Sequence, residues 1–263
     1  MDGIRVLGKP GEFAKHYYEQ GADELIYMDV VASLYGRNSL LDVVSESAKH
    51  IFIPLTVGGG IRSIEDIRKA LQAGADKVSI NTAALRNPDF ITEAANHYGS
   101  STIVVSIEAM KKDDGSWEAY TDNGREPMGK NVLDWALEAE IKGAGEILIT
   151  AIDRDGTGNG FDYDLVRQIN KKLKIPVLIS GGGGKKENVS EVLEDNSLSG
   201  IVLSSLLHYN YLKVKQLQNN QKETLFSRYS NAKNANVENC SLIELKKFLS
   251  DQGISVRLLN EME

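Results

Sequence analysis

The sequence predicts an α/β fold, a (β/α)8 TIM barrel assembled from two duplicated half-barrels. Two observations predict it. Short runs rich in Val and Ile, apolar on both faces, alternate with helical patterns; a parallel sheet covered by helices reads this way. A set of blocks also recurs at a fixed spacing. "GADELIYMD" from Gly21 matches "GAGEILITA" from Gly143, 122 residues on, and Ile53–Pro54, Gly60 and Thr82–Ala83 recur as Ile175–Pro176, Gly182 and Ser204–Ser205 at the same spacing. Two copies of a four-strand half close naturally into a barrel of about 250 residues. Residues 1–263 are therefore expected to form one barrel domain.

The elements follow in order. Strands are expected at 24–32, 52–57, 77–80, 101–107, 146–150, 176–180 and 200–204. Between them lie helices with readable ends. Ser63 and Asp66 resemble a capping box, Ile64, Ile67 and Leu71 share a face, and Gly74 supplies the stop. Asn87 suits a cap and Pro88 the first helical position before Phe90, Ile91 and Ala94. Leu133, Ala136, Leu137 and Ile141 form a further stripe ended by Gly143. The stretch 211–239 is polar and rich in Asn and Gln, the composition of a solvated insertion. The last helix, 241–253, carries Leu242, Leu245, Phe248 and Leu249 on one side and is expected to close the barrel.

Composition removes several function classes. The formal charge is −7 with acids and bases interspersed, so nucleic acid and anionic membrane are excluded as expected partners. No apolar run approaches the roughly 18 residues of a membrane span, and the N-terminus lacks the apolar core of a signal peptide. The one cysteine, Cys240, excludes internal disulfides and fits a reducing, cytoplasmic setting. Four scattered histidines offer no ligand spacing, so neither metal nor organic cofactor is expected; His208, after a strand end, reads as a packing or rim contact.

The glycine loops carry the chemistry. "VGGGI" and "SGGGGKK" each follow a strand and open a helix. Backbone N–H groups and a helix N-terminus at such a junction favour a phosphate, and in a barrel these loops lie on the catalytic face. Two such sites at duplicated positions suit a substrate with a phosphate at each end. Glu24 and Glu146 are duplicates at the opposite ends of their strands, and so belong to the opposite face.

"TVGGGIRS", "GADKVSINTAA", "GAGEILIT", "IDRDGTGNGFDYDL" and "ISGGGGK" together resemble the cyclase subunit of imidazole glycerol phosphate synthase. The resemblance spans most of residues 10–209 and again 241–258. It implies a lyase of histidine biosynthesis that takes ammonia from a glutaminase subunit, its heterodimer partner. The ammonia serves to form imidazole glycerol phosphate and AICAR from a bisphosphorylated ribosyl-formimino precursor. It further implies one phosphate site at Gly60, Asn81 and Thr82, and another at Asp155, Gly156, Gly181, Gly182, Ser204 and Ser205. Asp29 and its counterpart Thr150 would face the substrate, and Lys77 with Glu24 and Glu146 would form the ammonia gate at the barrel floor.

Two departures from the family pattern stand out. The family uses two aspartates, on its first and fifth strands, as general acid and base. "IVVSIEAM" takes the fifth place, and Glu108 stands where the second aspartate belongs, one methylene longer. Only seven strands are counted, and the spacing puts the counterpart of Glu108 ahead of Met1. The expectation is a barrel whose first strand is missing, with two free sheet edges. The altered carboxylate leaves an alternative: a paralogue that channels ammonia to a surface-polysaccharide sugar amidotransferase.

Overall fold

Residues 8–29, 40–194, 198–218 and 236–259 are described by a computed structural model. The strands are β1 (Leu25–Met28), β2 (Leu55–Gly58), β3 (Lys77–Ile80), β4 (Ile103–Lys111), β5 (Trp117–Thr121), β6 (Glu126–Asn131), β7 (Glu146–Ala151), β8 (Val177–Ser180) and β9 (Gly200–Ile201). The helices are α1 (Pro10–Glu19), α2 (Leu41–Ala48), α3 (Ile64–Gln72), α4 (Thr82–Arg86), α5 (Asp89–Tyr98), α6 (Val132–Ile141), α7 (Tyr163–Asn170), α8 (Lys186–Leu193), α9 (Ser205–Gln218) and α10 (Leu242–Asp251). Seven strands pair in parallel in the order β1-β2-β3-β4-β7-β8-β9, a curled α/β sheet consistent with a TIM barrel. Among the described residues β1 and β9 end that path.

The two-residue alternation of a strand fixes what each face carries. One set of positions, including Leu55, Val57, Val78, Ile80, Ile103, Ile147 and Ile179, is buried in one core with helix residues such as Ile67, Ile91, Trp135 and Leu165. The other set includes Thr56, Ser79, Ser106 and Glu146, all buried and polar. The sheet therefore has an apolar outer face under the helices and a largely polar lumen.

The duplication is visible in the pairing. Leu25↔Leu55 through Met28↔Gly58 recurs as Ile147↔Val177 through Thr150↔Ser180, each 122 residues on. It slips once. Thr56 pairs Lys77, yet Leu178 pairs Gly200, and α4 starts at Thr82 while α9 starts at Ser205. The spacing is 123 from β9 onward, so Asn81 corresponds to Ser204 and Thr82 to Ser205, which corrects the match of Thr82 with Ser204. A side chain that slipped by one residue would change faces, so the extra residue falls between α8 and β9.

Three local expectations need correction. In α6 the buried face is Val132, Trp135, Ala136 and Ala139, while Leu137 and Ile141 are exposed; the bulk of Trp135 sets the inward side. Pro88, not Asn87, takes the N-cap of α5, and no side chain caps that end. Helix α9 runs on to Gln218, so the first part of the polar stretch continues a helix; residues 219–235 of that stretch lie outside the described residues, as do 30–32 of the first expected strand. Elsewhere the readings hold. Ser63 accepts from the Asp66 amide, and Gly74 stops α3 at φ +110°. Helix α10 forms where a last helix was expected, and Ser241 and Glu244 close it with a full capping box that went unread.

Two elements went unread. Helix α1 opens on Pro10 and buries Phe13, Ala14 and Tyr17. The hairpin β5–β6 grows from an extension of β4: Glu108 pairs Tyr120, and Thr121 pairs Glu126. Its turn holds Asp122, Asn123 and Gly124 at φ of +52°, +60° and +73°. Asn-Gly between alternating strands is a strong hairpin signal, and it stood at Asn123–Gly124. The buried Trp117 indole anchors the hairpin, donating to Asp162 at 2.8 Å.

Helices join the two ends of the sheet. Phe13 and Tyr17 of α1 pack with Leu207 of α9, joined by Tyr211 and Leu212. Tyr17 Oη lies 2.6 Å from His208 Nδ1, and the two rings stack; His16 stacks on Tyr211. Burying an aromatic ring contributes about 2 kcal/mol or more, far above the exposed Lys215–Glu12 pair between the same helices. Lys246 of α10, only 6% exposed, donates to Asp23 and to the carbonyls of Gly21 and Arg257, so its buried charge is satisfied.

Burial holds both His16 and His208 below the ordinary histidine range, with Glu19 partly opposing it at His16. The unfolded chain then takes up these protons first, from about pH 6.5 downward. Their contribution is complete above that pH and is lost as pH falls through it. Denaturant melts at about pH 7.5 and 5.5 should show lower stability at the acid value, and the H16Q/H208Q double variant should show a smaller loss. Equal stability at both pH values would refute the assignment.

Candidate active site

The loops of the second half-barrel build a pocket. Asp155, Gly156, Gly181, Gly182, Ser204 and Ser205 all line it, with Gly158, Ser180, Gly183, Val202 and Leu203. Local sequence explains the shape. The loop after β7 folds on itself: Thr157 Oγ1 donates to the Arg154 carbonyl at 2.6 Å, and the Asn159 amide donates back to Thr157 Oγ1. The Gly160 amide then donates to the Gly182 carbonyl at 2.8 Å, tying this loop to the one after β8. The 14-residue helix α9 begins at the pocket wall with Ser205, which directs amides and the positive end of its dipole there. Burial pushes the Asp155 carboxyl above the usual range, against the Gly156 amide that lowers it.

The first half repeats the backbone. Gly59 and Gly181 sit at φ +93° and +92°. A Cβ on Gly59 would lie 2.2 Å from the Asp29 carbonyl oxygen, and one on Gly181 2.6 Å from that of Ala151. Asp29 and Ala151 are themselves counterparts, so one close approach is built twice; this corrects the match of Asp29 with Thr150, whose counterpart in the register is Met28. Gly60, at φ +73°, and the Asn81–Thr82 step stand at the ends of the neighbouring strands β2 and β3. Here the following helix is α4, five residues long. Asp29 stands just beyond β1, its amide donating to Gly58 at 3.0 Å.

Glu108 rises from β4 level with Thr150 of β7. Its Oε2 accepts from the Gly124 amide at 2.7 Å, and the Asn81 side chain also hydrogen-bonds to it. Burial raises its pKa above the ordinary glutamate value. Those two hydrogen bonds oppose the rise, and the Asp122 charge adds to it. Asn81 thus touches Glu108 from the N-cap position of α4, where its side chain makes no capping hydrogen bond. Its Oδ1 and the Ser79 hydroxyl are buried without a partner among the described residues.

At the other end of the lumen Lys77 Nζ lies 2.9 Å from Glu24 and 2.8 Å from Glu146. Burial alone lowers the lysine pKa, but the hydrogen bonds and charges of Glu146 and Glu24 outweigh it and hold the pKa above the ordinary value. The three predicted floor residues therefore meet in one cluster. Glycine spacing did not mark Gly158, Ser180 or the Gly124 amide: they reach the site through loop closure and the hairpin. Among the described residues no group of three or more His, Cys, Asp or Glu side chains could hold a metal ion, and no helix is long and apolar enough to cross a membrane.

Comparison with known proteins identifies the family of the chain. The family described as "Histidine biosynthesis protein" matches residues 2–213. The imidazole glycerol phosphate synthase subunit HisF of Legionella pneumophila is 56% identical over 187 residues, which cover 71% of this chain and 88% of that protein.

The tied loops give a direct test. A Cβ at Gly182, at φ +100°, would lie 2.1 Å from the Gly160 carbonyl oxygen, whereas one at Gly156, at φ +73°, meets nothing within 4 Å. Gly182→Ala should lower stability by about 2 kcal/mol and speed exchange of the Gly160 amide, while Gly156→Ala costs only about 1 kcal/mol of backbone strain. Equal effects of the two variants would show that the loops are not tied.

Proposed function

We infer the function of this chain from the family to which it belongs, the histidine biosynthesis proteins. It is a cyclase subunit of imidazole glycerol phosphate synthase, a lyase of histidine biosynthesis. The observation that carries this is 56% identity over 88% of a protein of that name. The sugar-amidotransferase alternative has no such support.

The finer reading assigns roles to the site. The glycine loops at Gly60, Asn81 and Thr82 and at Asp155, Gly156, Gly181, Gly182, Ser204 and Ser205 hold the two phosphates of the substrate by backbone amides. Asp29 and Thr150 face the substrate between them. Ammonia from a glutaminase subunit passes Lys77, Glu24 and Glu146 and attacks the substrate held at the opposite face. Glu108 carries protons during ring closure. Its raised pKa supports this, because a carboxyl shifted towards neutrality exchanges protons more effectively near neutral pH. The floor supports the docking of the glutaminase: Phe52 is 78% exposed beside a groove lined by Ala48, Ile51, Ile53, Pro54 and Gly74, next to the strand end that bears the gate.

Glu108→Gln should lower ammonium-dependent cyclisation by about 10²-fold or more. A variant turning over like the parent would remove Glu108 from the chemistry. For the gate, Lys77→Ala should reduce glutamine-dependent turnover in the complex more than turnover with added ammonium salt. Equal losses in the two assays would make the lysine structural.

A further inference from the structure

The turn that reaches Glu108 is gripped from the side by one cation. Arg86 ends α4, the helix opened by Asn81 and Thr82. Its Nη2 donates to Asp122 Oδ2 at 3.2 Å and to Glu126 Oε2 at 3.0 Å. The guanidinium thus spans the hairpin turn from its first residue to the start of β6. Between those two contacts stand Asn123 and Gly124, and the Gly124 amide is the group that binds Glu108 at 2.7 Å.

Asp122 and Asn123 both stand at positive φ, a cost that Asp and Asn bear better than other L residues, and contacts from outside fix where the turn sits. Arg86 supplies two. Both bonds come from one nitrogen, Nη2, of a cation that keeps its charge at any pH the protein meets.

We propose that Arg86 is a positioning residue of the active site: by bridging Asp122 and Glu126 it fixes the turn whose amide orients Glu108, and it balances the Asp122 charge. The arrangement links the first phosphate loop to the carboxylate, since Asn81 at one end of α4 bonds Glu108 directly while Arg86 at the other end bonds the turn. It also answers the extra methylene of Glu108. A longer side chain has one more rotatable bond, and the Gly124 amide removes that freedom. The proposal rests on the reading of Glu108 as the proton carrier.

The test uses the full chain with Arg86→Ala, Arg86→Lys and Glu108→Gln. Arg86 is half exposed, so the alanine variant is expected to fold. In Arg86→Ala, kcat with ammonium should fall about tenfold with little change in KM. The limb of the pH–rate profile belonging to Glu108 should move to higher pH, because the carboxyl loses its amide and faces an unbalanced Asp122. Arg86→Lys should recover part of the rate. Isotope-edited infrared titration of the Glu108 carboxyl should show the same upward shift in Arg86→Ala. An unshifted titration overturns the proposal, whatever the rate does. An upward shift combined with full activity in Glu108→Gln keeps the link from Arg86 to Glu108 and rejects instead the proton-carrier reading.

Discussion

The parallel register is the constraint on which everything else depends. Side chains alternate across a strand, so pairing Thr56 with Lys77 and Val104 with Glu146 decides that Lys77 and Glu146 enter the lumen. The same ladder carries Glu108 and Thr150 to the opposite end. One set of hydrogen bonds therefore produces a charged floor, a polar bore and a carboxylate at the top. It leaves Val57, Val78, Val105 and Ile149 outside, where helices bury them. The one-residue slip at β9 illustrates the force of the constraint. The chain absorbs an extra residue between α8 and β9 and keeps the inward side chains inward.

Closure is a matter for helices and termini. The described sheet ends at β1 and β9, and aromatic packing between α1 and α9 joins those ends. Helix α10 adds the buried Lys246, whose ammonium ties it to the Asp23 turn, and Arg257 reaches the same carboxylate and the Ala22 carbonyl. These contacts link residues more than 190 positions apart. Their energy comes mainly from ring burial, with the ion pairs setting orientation.

The two glycine loops are alike in backbone and unlike in surroundings. Gly59 and Gly181 have the same φ and the same close neighbour. Among the described residues the second loop is pinned by the segment before α10: Asn236 donates to the Asn159 side chain, and the Glu238 amide to the Gly184 carbonyl. The first loop instead shares Asn81 with Glu108. The duplication is thus kept in the backbone of the loops and lost in the side chains that surround them.

Much of this was legible in the amino-acid sequence, because it depends on patterns that local physics enforces. Val/Ile runs, glycine at positive φ and Ser63 at a cap each state their conformation within a few residues. The repeat at 122 residues displayed the half-barrel and paired Glu24 with Glu146 before any coordinate. What the sequence could not determine depends on partners distant along the chain. The inward face of α6 turned on where Trp135 packs, and the slip at β9 on which neighbour its strand meets. The protonation tendency of Glu108 followed from a hairpin whose turn folds back over it. Burial, and with it the raised pKa of Glu108 and of Asp155, exists only once the elements have closed on one another, so tertiary structure alone decided it.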